Sequence, residues 1–365
     1  MAAALALGRQ GQGRTAPNPP VGAVLVREGP DGPVVVGLGR TGDGGRPHAE
    51  RIALHEARGD ARGATLYVTL EPCSHFGRTP PCADAMVAAG VARAVVATLD
   101  PNPVVAGRGT RKLEAAGIFV TLDIGRAEAE RDLAGHIRRM TEGRPHVRLK
   151  LAVSADGAIG RRGEGQIAVS GPASRIRAHI LRAESDAIAV GVGTLLADDP
   201  ALTCRLPGMA ALSPTRVVLD TAARTPLSSR LLDDCLEVPV LVLVGEGADP
   251  DRCAALVEAG AEVIPVALGP DRRIDLREAL AQLSGRGITT VLVEGGAELA
   301  DSLLAAGLVD EVHLVEAPVV LGGALVVPFG GRGMEALAPA FDVLQVERLG
   351  EDRWTHLWRR ACSQA

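Results

Sequence analysis

The chain has 365 residues, more than one hydrophobic core usually supports, so two domains are expected. Apolar residues make up 47% but aromatics only 2%, so the cores must be built from Ala, Val and Leu, which suits α/β layers with buried parallel strands. A net charge of −5 without runs of like charge excludes a nucleic-acid tail, and no segment has the ~18 apolar residues of a membrane span or the pattern of a signal peptide, so a cytoplasmic protein with no membrane or nucleic-acid partner is expected.

From Val21 to Val120, short β-rich runs alternate with Ala-rich helical stretches. VGAVLV, VVVGLG, ATLYVTL, RAVVATL and GIFVTL predict strands; HAERIALHEAR, PPCADAMVAAG and GRGTRKLEAAG predict helices. Arg126 to Met140 predicts a closing helix. Gly143 and Pro145 then break the helical pattern before a new strand, HVRLKLAVS, which sets the expected domains at 1–144 and 145–365. Beyond it DAIAVGVG, TRVVLD, VPVLVLVG, AEVIPV, TTVLVE and DEVHLVEAPVV predict strands, and PASRIRAHILRAES and GAELADSLLAAG predict helices. FDVLQVERLG and DRWTHLWRR read as an antiparallel pair turning at Gly350-Glu-Asp. Six cysteines are too few for a disulfide scaffold, and Cys204, Cys235, Cys253 and Cys362 read as ordinary thiols.

Chemistry concentrates in the first half. Pro47-His48-Ala49-Glu50 is followed by Glu71-Pro72-Cys73 and, after eight further residues, by Cys82. The order matches the H-x-E…P-C…C signature of zinc deaminases with the usual two-residue cysteine gap widened. His48 and Glu50 are expected in the first turn of one helix, Cys73 directly after a strand, and Cys82 at a helix start prepared by Pro80-Pro81. Helix N-termini favour thiolate over thiol. His48, Cys73 and Cys82 would leave one zinc position for water, as a catalytic site requires; a structural zinc takes four protein ligands. Two thiolates cancel the charge of the metal, so its water needs a base beside it, and Glu50 is the candidate proton shuttle. His75 stands either as a competing ligand or as a pocket wall. Deaminases of single-stranded nucleic acid need aromatic platforms. The first 140 residues offer Tyr67, Phe76 and Phe119, so a small-molecule substrate is expected. The rival from another class is a regulatory protein with structural zinc.

TAPNPPVGAVLV, PHAE, TLEPCSHFGRTPPC, DPNPVVAGRG and AAGI resemble, in order and spacing, the bifunctional riboflavin-biosynthesis deaminase/reductase family (RibD type). The widened gap in CSHFGRTPPC is that family's form of the motif, and the resemblance covers nearly the whole chain. It implies a cytidine-deaminase-like three-layer domain followed by a dihydrofolate-reductase-like α/β domain. It also implies one Zn2+ per chain, NADPH, and a homodimer or higher homo-oligomer. The implied reactions are deamination of a diaminopyrimidinone carrying a ribosylamino 5′-phosphate, then reduction of the ribosyl group to ribityl. Asn18, His75, Arg78, Asp100 and Asn102 match positions that hold base and sugar phosphate; Asn can pair with a base edge and Arg can grip phosphate. Asp100-Pro-Asn102-Pro also reads as a tight turn.

From its residues alone, the second half is an α/β domain with glycine-rich strand-to-helix turns. Gly191-Val-Gly193-Thr194 and Glu294-Gly-Gly296 either receive phosphate on backbone N–H groups or are plain turns. KLAVSADGAIG, LRAESDAIAVGVGTLLADDPALTCR, RVVLD and VEGGAELADSLLAAGLVDE resemble the reductase half. By that likeness Ala152, Thr194, Asp198, Thr221 and the run from Gly296 match cofactor contacts. Gln166, Arg182, Leu202, Arg205 and Glu294 match substrate contacts, and Lys150 is a candidate polar group near the reacting carbon. Ala168 stands where the family usually carries a Trp against the cofactor. Either cofactor affinity is lower or another group fills the gap, and a reductase half with altered or lost activity is the alternative. Asp220 ends a strand where a Rossmann reading predicts NAD, while Arg224 can serve a 2′-phosphate. NADPH is the expectation from the resemblance.

Overall fold

Glycines at alternate positions decide how the first half layers. Strands β1 (Gly22–Gly29) and β2 (Gly32–Arg40) form an antiparallel pair in which Ala23 faces Gly39 and Leu25 faces Gly37. Residues paired across antiparallel strands share a face, so Gly37 and Gly39 lie on one side of the sheet and Gly22 on the other. A Cβ on Gly37 or Gly39 would stand 2.2 or 2.1 Å from the carbonyl oxygen of Ala53 or Ala49. One on Gly22 would stand 1.8 Å from that of Ala4. Helix α1 (Ala2–Arg9) therefore packs on one face and α2 (Ala49–Ala57) on the other, which makes three layers. Ala2–Arg9, which precedes the elements expected from the sequence, is a helix that buries Ala4, Leu5 and Gly8.

The structure, a computed structural model, describes residues 1–77, 79–103 and 105–360. Arg78 and Cys362 lie outside the described residues. By internal contacts the chain divides into Met1–Arg144 and Pro145–Ala365. In the first unit β3 (Thr65–Val68) joins β1 antiparallel, and β4 (Arg93–Val96) and β5 (Phe119–Thr121) follow in parallel, in the order β2-β1-β3-β4-β5. Helices α3 (Cys82–Ala89) and α4 (Arg108–Ala115) connect these strands. The expected closing helix is two, α5 (Arg126–Asp132) and α6 (Ala134–Glu142). They break at Leu133, whose backbone leaves helical geometry (φ −100°, ψ 9°) and whose side chain lies in the core at 1% exposure.

The second unit has strands β6 (His146–Val153), β7 (Gly160–Arg161), β8 (Ala187–Gly191), β9 (Thr215–Leu219), β10 (Val240–Gly245), β11 (Glu262–Val266), β12 (Thr290–Glu294), β13 (Glu311–Glu316), β14 (Leu325–Val326), β15 (Phe341–Leu349) and β16 (Asp352–Arg359). Nine form one sheet, β11-β10-β9-β8-β12-β6-β13-β16-β15, parallel from β11 to β13 and antiparallel at β16 and β15; β7 and β14 pair separately. The helices are α7 (Pro172–Ala183), α8 (Val192–Asp198), α9 (Pro250–Glu258), α10 (Leu276–Gly285), α11 (Ala297–Ala305) and α12 (Met334–Leu337). Continuous apolar runs such as Val240–Gly245 are buried throughout, as strands covered on both faces require. The strand expected over DEVHLVEAPVV stops at Glu316, two residues before Pro318, which has no N–H to give a ladder. Among the described residues no helix is long and apolar enough to cross a membrane.

Where the parallel and antiparallel parts of this sheet meet, a polar knot is buried. Glu311 Oε2 accepts from His146 Nε2 and Arg148 Nε, both at 2.9 Å. Its Oε1 accepts from His313 Nε2 at 2.8 Å and lies 2.8 Å from His356 Nε2. Burial pushes the Glu311 carboxyl up, but Arg148 and the histidine hydrogen bonds outweigh it and hold the group well below the usual range. Trp354 Nε1 donates to His313 Nδ1 at 3.3 Å, and burial pushes the His313 pKa down to about 4.

Candidate active sites

In the first unit two helix starts face one turn. His48 is the extended N-cap residue of α2, which places Glu50 in the first turn. Cys82 opens α3 behind Pro81. Cys73 does not directly follow a strand as expected: β3 ends at Val68, and an irregular stretch carries the chain on. The turn is held by the Cys82 N–H donating to Cys73 Sγ at 3.3 Å and the Ala83 N–H donating to the Cys73 carbonyl at 3.1 Å.

His48 Nδ1 lies 3.7 Å from Cys73 Sγ and 3.4 Å from Cys82 Sγ, and the three ligating atoms fall within 4.8 Å of one another. Zinc bonds of about 2.0–2.1 Å to nitrogen and 2.3 Å to sulfur, at tetrahedral angles, put N and S about 3.5 Å apart, so this donor set fits zinc as it stands. His75 is exposed and outside the group. Hydrogen bonding from Cys82 pulls the Cys73 thiol down to about 4, while the same contact and burial push Cys82 up. The two sulfurs thus share one proton, which a dication binding both as thiolates displaces. Glu50 is 4% exposed; burial, reinforced by Cys73, raises its carboxyl to about 6.

The matched substrate residues are more varied. Asn18 Nδ2 donates to the Gly45 carbonyl at 2.7 Å. Asp100 Oδ1 accepts from the Asn102 N–H at 2.9 Å, an Asx turn, and from His136 Nε2 at 3.0 Å. The tight-turn reading therefore describes the backbone here, with the side chains of Asp100 and Asn102 mounted on the turn. From sequence alone His136 has no role, and Glu71 enters only as part of the run Glu71-Pro72-Cys73, with no function of its own. Glu71 receives backbone N–H groups from four residues between Asp100 and Thr110. The signal available for it was that α4 starts Gly107-Arg108-Gly109 with no side-chain cap of its own, so an acceptor must come from elsewhere.

The second unit contains a cleft of about 2010 Å³. The residues matched to the cofactor, Ala152, Ala168, Thr194, Asp198, Thr221 and Gly296, all line it. So do Gln166, Arg182, Leu202, Arg205 and Glu294, matched to substrate, and Lys150. Gly295 and Gly296 take φ of 78° and 77°, and a Cβ on Gly296 would stand 2.9 Å from Thr194 Oγ1, so only glycine lets this turn approach α8. The turn delivers the N-terminus of α11 to the cleft, where Arg205 and Arg224 are exposed. A phosphate-bearing dinucleotide needs such N–H groups and cations, so the cleft fits a nicotinamide cofactor. No Phe, Tyr or Trp lines it among the described residues, and His179 is the aromatic side chain that does, so no indole or phenyl ring stands in for the Trp that the resemblance places at Ala168.

The deepest charges in the cleft, Arg182 and Glu294, are paired with each other. Arg182 grips Glu294 with two hydrogen bonds, 3.0 Å from Nε and 2.7 Å from the terminal nitrogen, and donates a third to the Thr203 carbonyl at 2.9 Å. Burial raises the Glu294 carboxyl, but Arg182 outweighs it and the group sits at about 2. Lys150 lies opposite Glu294 in the β6–β12 register, and burial lowers its pKa. Asp220 does not face the cleft. It is fully buried, and its Oδ2 accepts from the Thr225 N–H and hydroxyl, both at 2.7 Å, so it ties a turn and the Rossmann-type reading of this residue is corrected.

Fold and site together define a zinc-binding deaminase unit of the cytidine-deaminase type joined to an α/β reductase unit. The chain matches the cytidine and deoxycytidylate deaminase zinc-binding region over residues 1–98 and the RibD C-terminal domain over residues 145–354. It is 40% identical to the riboflavin biosynthesis protein RibD of Escherichia coli, covering 98% of each chain, and 39% identical to that of Aquifex aeolicus over 96% of this chain and 95% of the relative. Among solved structures, Acinetobacter baumannii RibD superposes with a TM-score of 0.85 at 36% identity over 99% of this chain and 98% of the other. The diaminohydroxyphosphoribosylaminopyrimidine deaminase/5-amino-6-(5-phosphoribosylamino)uracil reductase of Thermotoga maritima does so at 0.83 and 33%, over 99% and 97%. The chain belongs to the RibD family of bifunctional riboflavin-biosynthesis deaminase/reductases.

Proposed function

We propose that the first unit hydrolytically deaminates a diaminopyrimidinone bearing a ribosylamino 5′-phosphate, and that the second uses NADPH to reduce the ribosyl group of the product to ribityl. The observation that carries this reading is the buried Glu50 carboxyl beside three donor atoms at tetrahedral zinc spacing. The substrate class is supported by the Thermotoga maritima relative, which is described as acting on such a pyrimidine.

His48 Nδ1, Cys73 Sγ and Cys82 Sγ would hold one zinc per chain, which when bound supplies Lewis acidity to a water molecule. Glu50 takes a proton as carboxylate and returns it as carboxylic acid to the departing amine; its pKa of about 6 leaves both forms accessible near neutrality. Asn18, His75, Arg78, Asp100 and Asn102 hold the base and sugar phosphate. In the second unit NADPH, when bound, would supply hydride. Ala152, Ala168, Thr194, Asp198, Thr221 and Gly296 form the wall against the cofactor, and Arg224 meets its 2′-phosphate. Gln166, Leu202 and Arg205 hold the sugar phosphate, with Arg182 keeping Glu294 ionised toward the sugar hydroxyls. Lys150, beside Glu294, donates a proton to the ring oxygen released as the ribose opens. A cytoplasmic homodimer or higher homo-oligomer completes the proposal, supported by the edge strand β15, which exposes Val343, Leu344 and Val346.

The test is mass spectrometry of the diaminopyrimidinone phosphate after incubation with zinc-loaded protein, with and without NADPH. Deamination alone without cofactor, and deamination plus reduction with it, is the expected result. Deamination with no effect of NADPH would remove the second half of the proposal and point to Ala168; no reaction at all would remove both halves.

A further inference from the structure

We infer that Glu71 is a positioning residue of the deaminase, binding the metal turn to the segment that presents Asp100 and Asn102 so that substrate is held at a fixed distance from Cys73. The inference rests on the proposed reading of the first unit.

Glu71 stands two residues before Cys73 and is 3% exposed. Among the described residues no Lys, Arg or His pairs with it; backbone N–H groups meet its charge instead. Oε2 accepts from Asp100 at 3.2 Å and Gly107 at 2.9 Å, and Oε1 from Gly109 at 2.9 Å and Thr110 at 3.1 Å. Gly107 is the N-cap residue of α4, and Gly109 and Thr110 follow in its first turn, so a side chain 36 residues earlier in sequence serves as the cap the helix lacks. The contact is close: a Cβ on Gly109 would stand 2.0 Å from the Pro72 carbonyl oxygen, between Glu71 and Cys73. The Glu71 N–H also donates to the Thr98 carbonyl at 3.0 Å. At the other end His136 on α6 holds the Asp100 carboxylate. The two substrate-facing residues therefore sit on a strap pinned at both ends, and the stronger pin is rooted in the metal turn.

An amide cannot replace this carboxylate. Whichever way Gln is turned, its NH2 group faces two N–H donors and one pair of hydrogen bonds becomes a repulsion. A residue that only stabilised the fold would lower thermal stability and leave the kinetics of the folded fraction alone. Asp100 and Asn102 are read as holding substrate and transition state alike, so loosening them raises KM more than kcat. For Glu71→Gln we expect full zinc content per folded chain, a rise in the deamination KM of about tenfold or more, a kcat within about threefold, and unchanged reduction of the deaminated substrate. Hydrogen–deuterium exchange should accelerate in peptides spanning 98–110. Gly109→Ala, which alters no polar group but forces α4 off Pro72, should repeat the KM effect and keeps the test open if Glu71→Gln does not fold. Wild-type KM in a folded variant with lowered melting temperature, or activity lost in proportion to zinc, would overturn the inference. A wild-type chain without deaminase activity would overturn the reading of the unit, whereas an active wild type with unchanged KM and exchange in both variants overturns this inference alone.

Discussion

A carboxyl held near 6 is mostly ionised at neutral pH yet keeps a protonated minority that an ordinary glutamate does not, which suits a group that must both accept and give a proton. Replacing Glu50 by Gln keeps its size and removes that exchange. The variant should retain its zinc while deamination falls by about 10²–10⁴-fold. Metal analysis beside a deamination assay checks it, and surviving activity would move the proton shuttle to another group. Glu294 works in the opposite direction. Its folded carboxyl sits at about 2 against an ordinary 4.5, so it contributes stability that is complete above 4.5 and lost as pH falls from there toward 2. The gap corresponds to about 3 kcal/mol. Glu294→Gln should therefore weaken the second unit at pH 7 by that order and flatten its acid-unfolding profile between 4.5 and 2. Denaturant titrations at several pH values measure both, and an unchanged slope would show that the Arg182 pair does not hold the carboxyl.

At the scale of elements, α2 lies so close to β2 that glycine is the side chain that fits beneath it. Gly39→Ala would set a methyl group 2.1 Å from the Ala49 carbonyl, one residue from His48 and Glu50. The cost of overpacking is about 1–3 kcal/mol, and the helix start should shift with it, so both melting temperature and zinc affinity should drop. A thermal melt and a chelator competition read the two effects; a lower melting temperature with unchanged zinc affinity would detach the helix start from its seat. The elements themselves were largely legible in the sequence because period-2 runs and Gly–Pro punctuation are local signals. The turn that gathers His48, Cys73 and Cys82 was legible for the same reason, since Pro47-His48-Ala49-Glu50 and Pro81-Cys82 sit at helix starts. The role of Glu71 was not, because its partners are backbone groups far along the chain and any sequence there has them. Nor was the break at Leu133, where a buried leucine overrides a continuous helical pattern, or the early end of β13, where Pro318 should have outweighed the apolar run. Asp220 misled because strand-end acidity carries meaning only in the fold for which that rule was found.

At the scale of the molecule, each unit builds its own core, the first around Leu25, Leu66 and Met86 and the second around several clusters, of which one holds Leu149, Val291 and Leu314. The proposed metal ligands all belong to the first unit. Stripping zinc with a chelator should therefore abolish deamination and leave reduction of an already deaminated substrate within about twofold, because the residues lining the reductase cleft all belong to the other unit and share no partner with the metal ligands. Loss of both would mean that the metal supports more than its own unit.

The Glu311 knot bears on how this chain meets a metal ion in the first place. Glu311, His313 and His356 also bring their ligating atoms within 4.8 Å, so among the described residues there are two donor clusters open to comparison. They differ in vacancy. The carboxylate of Glu311 already accepts three N–H donors and has His356 against it, near its capacity of about four. Trp354 can only donate, so His313 carries its proton on Nε2, the nitrogen a cation would need. A metal entering there must strip that proton and settle beside the Arg148 guanidinium. At the sulfur centre a single backbone N–H, that of Cys82, is donated to Cys73 Sγ, and among the described residues no Lys or Arg stands against the thiols. The knot's donor atoms are thus engaged by hydrogen bonds among its own residues, so a cation meets more competition there than at the cysteines.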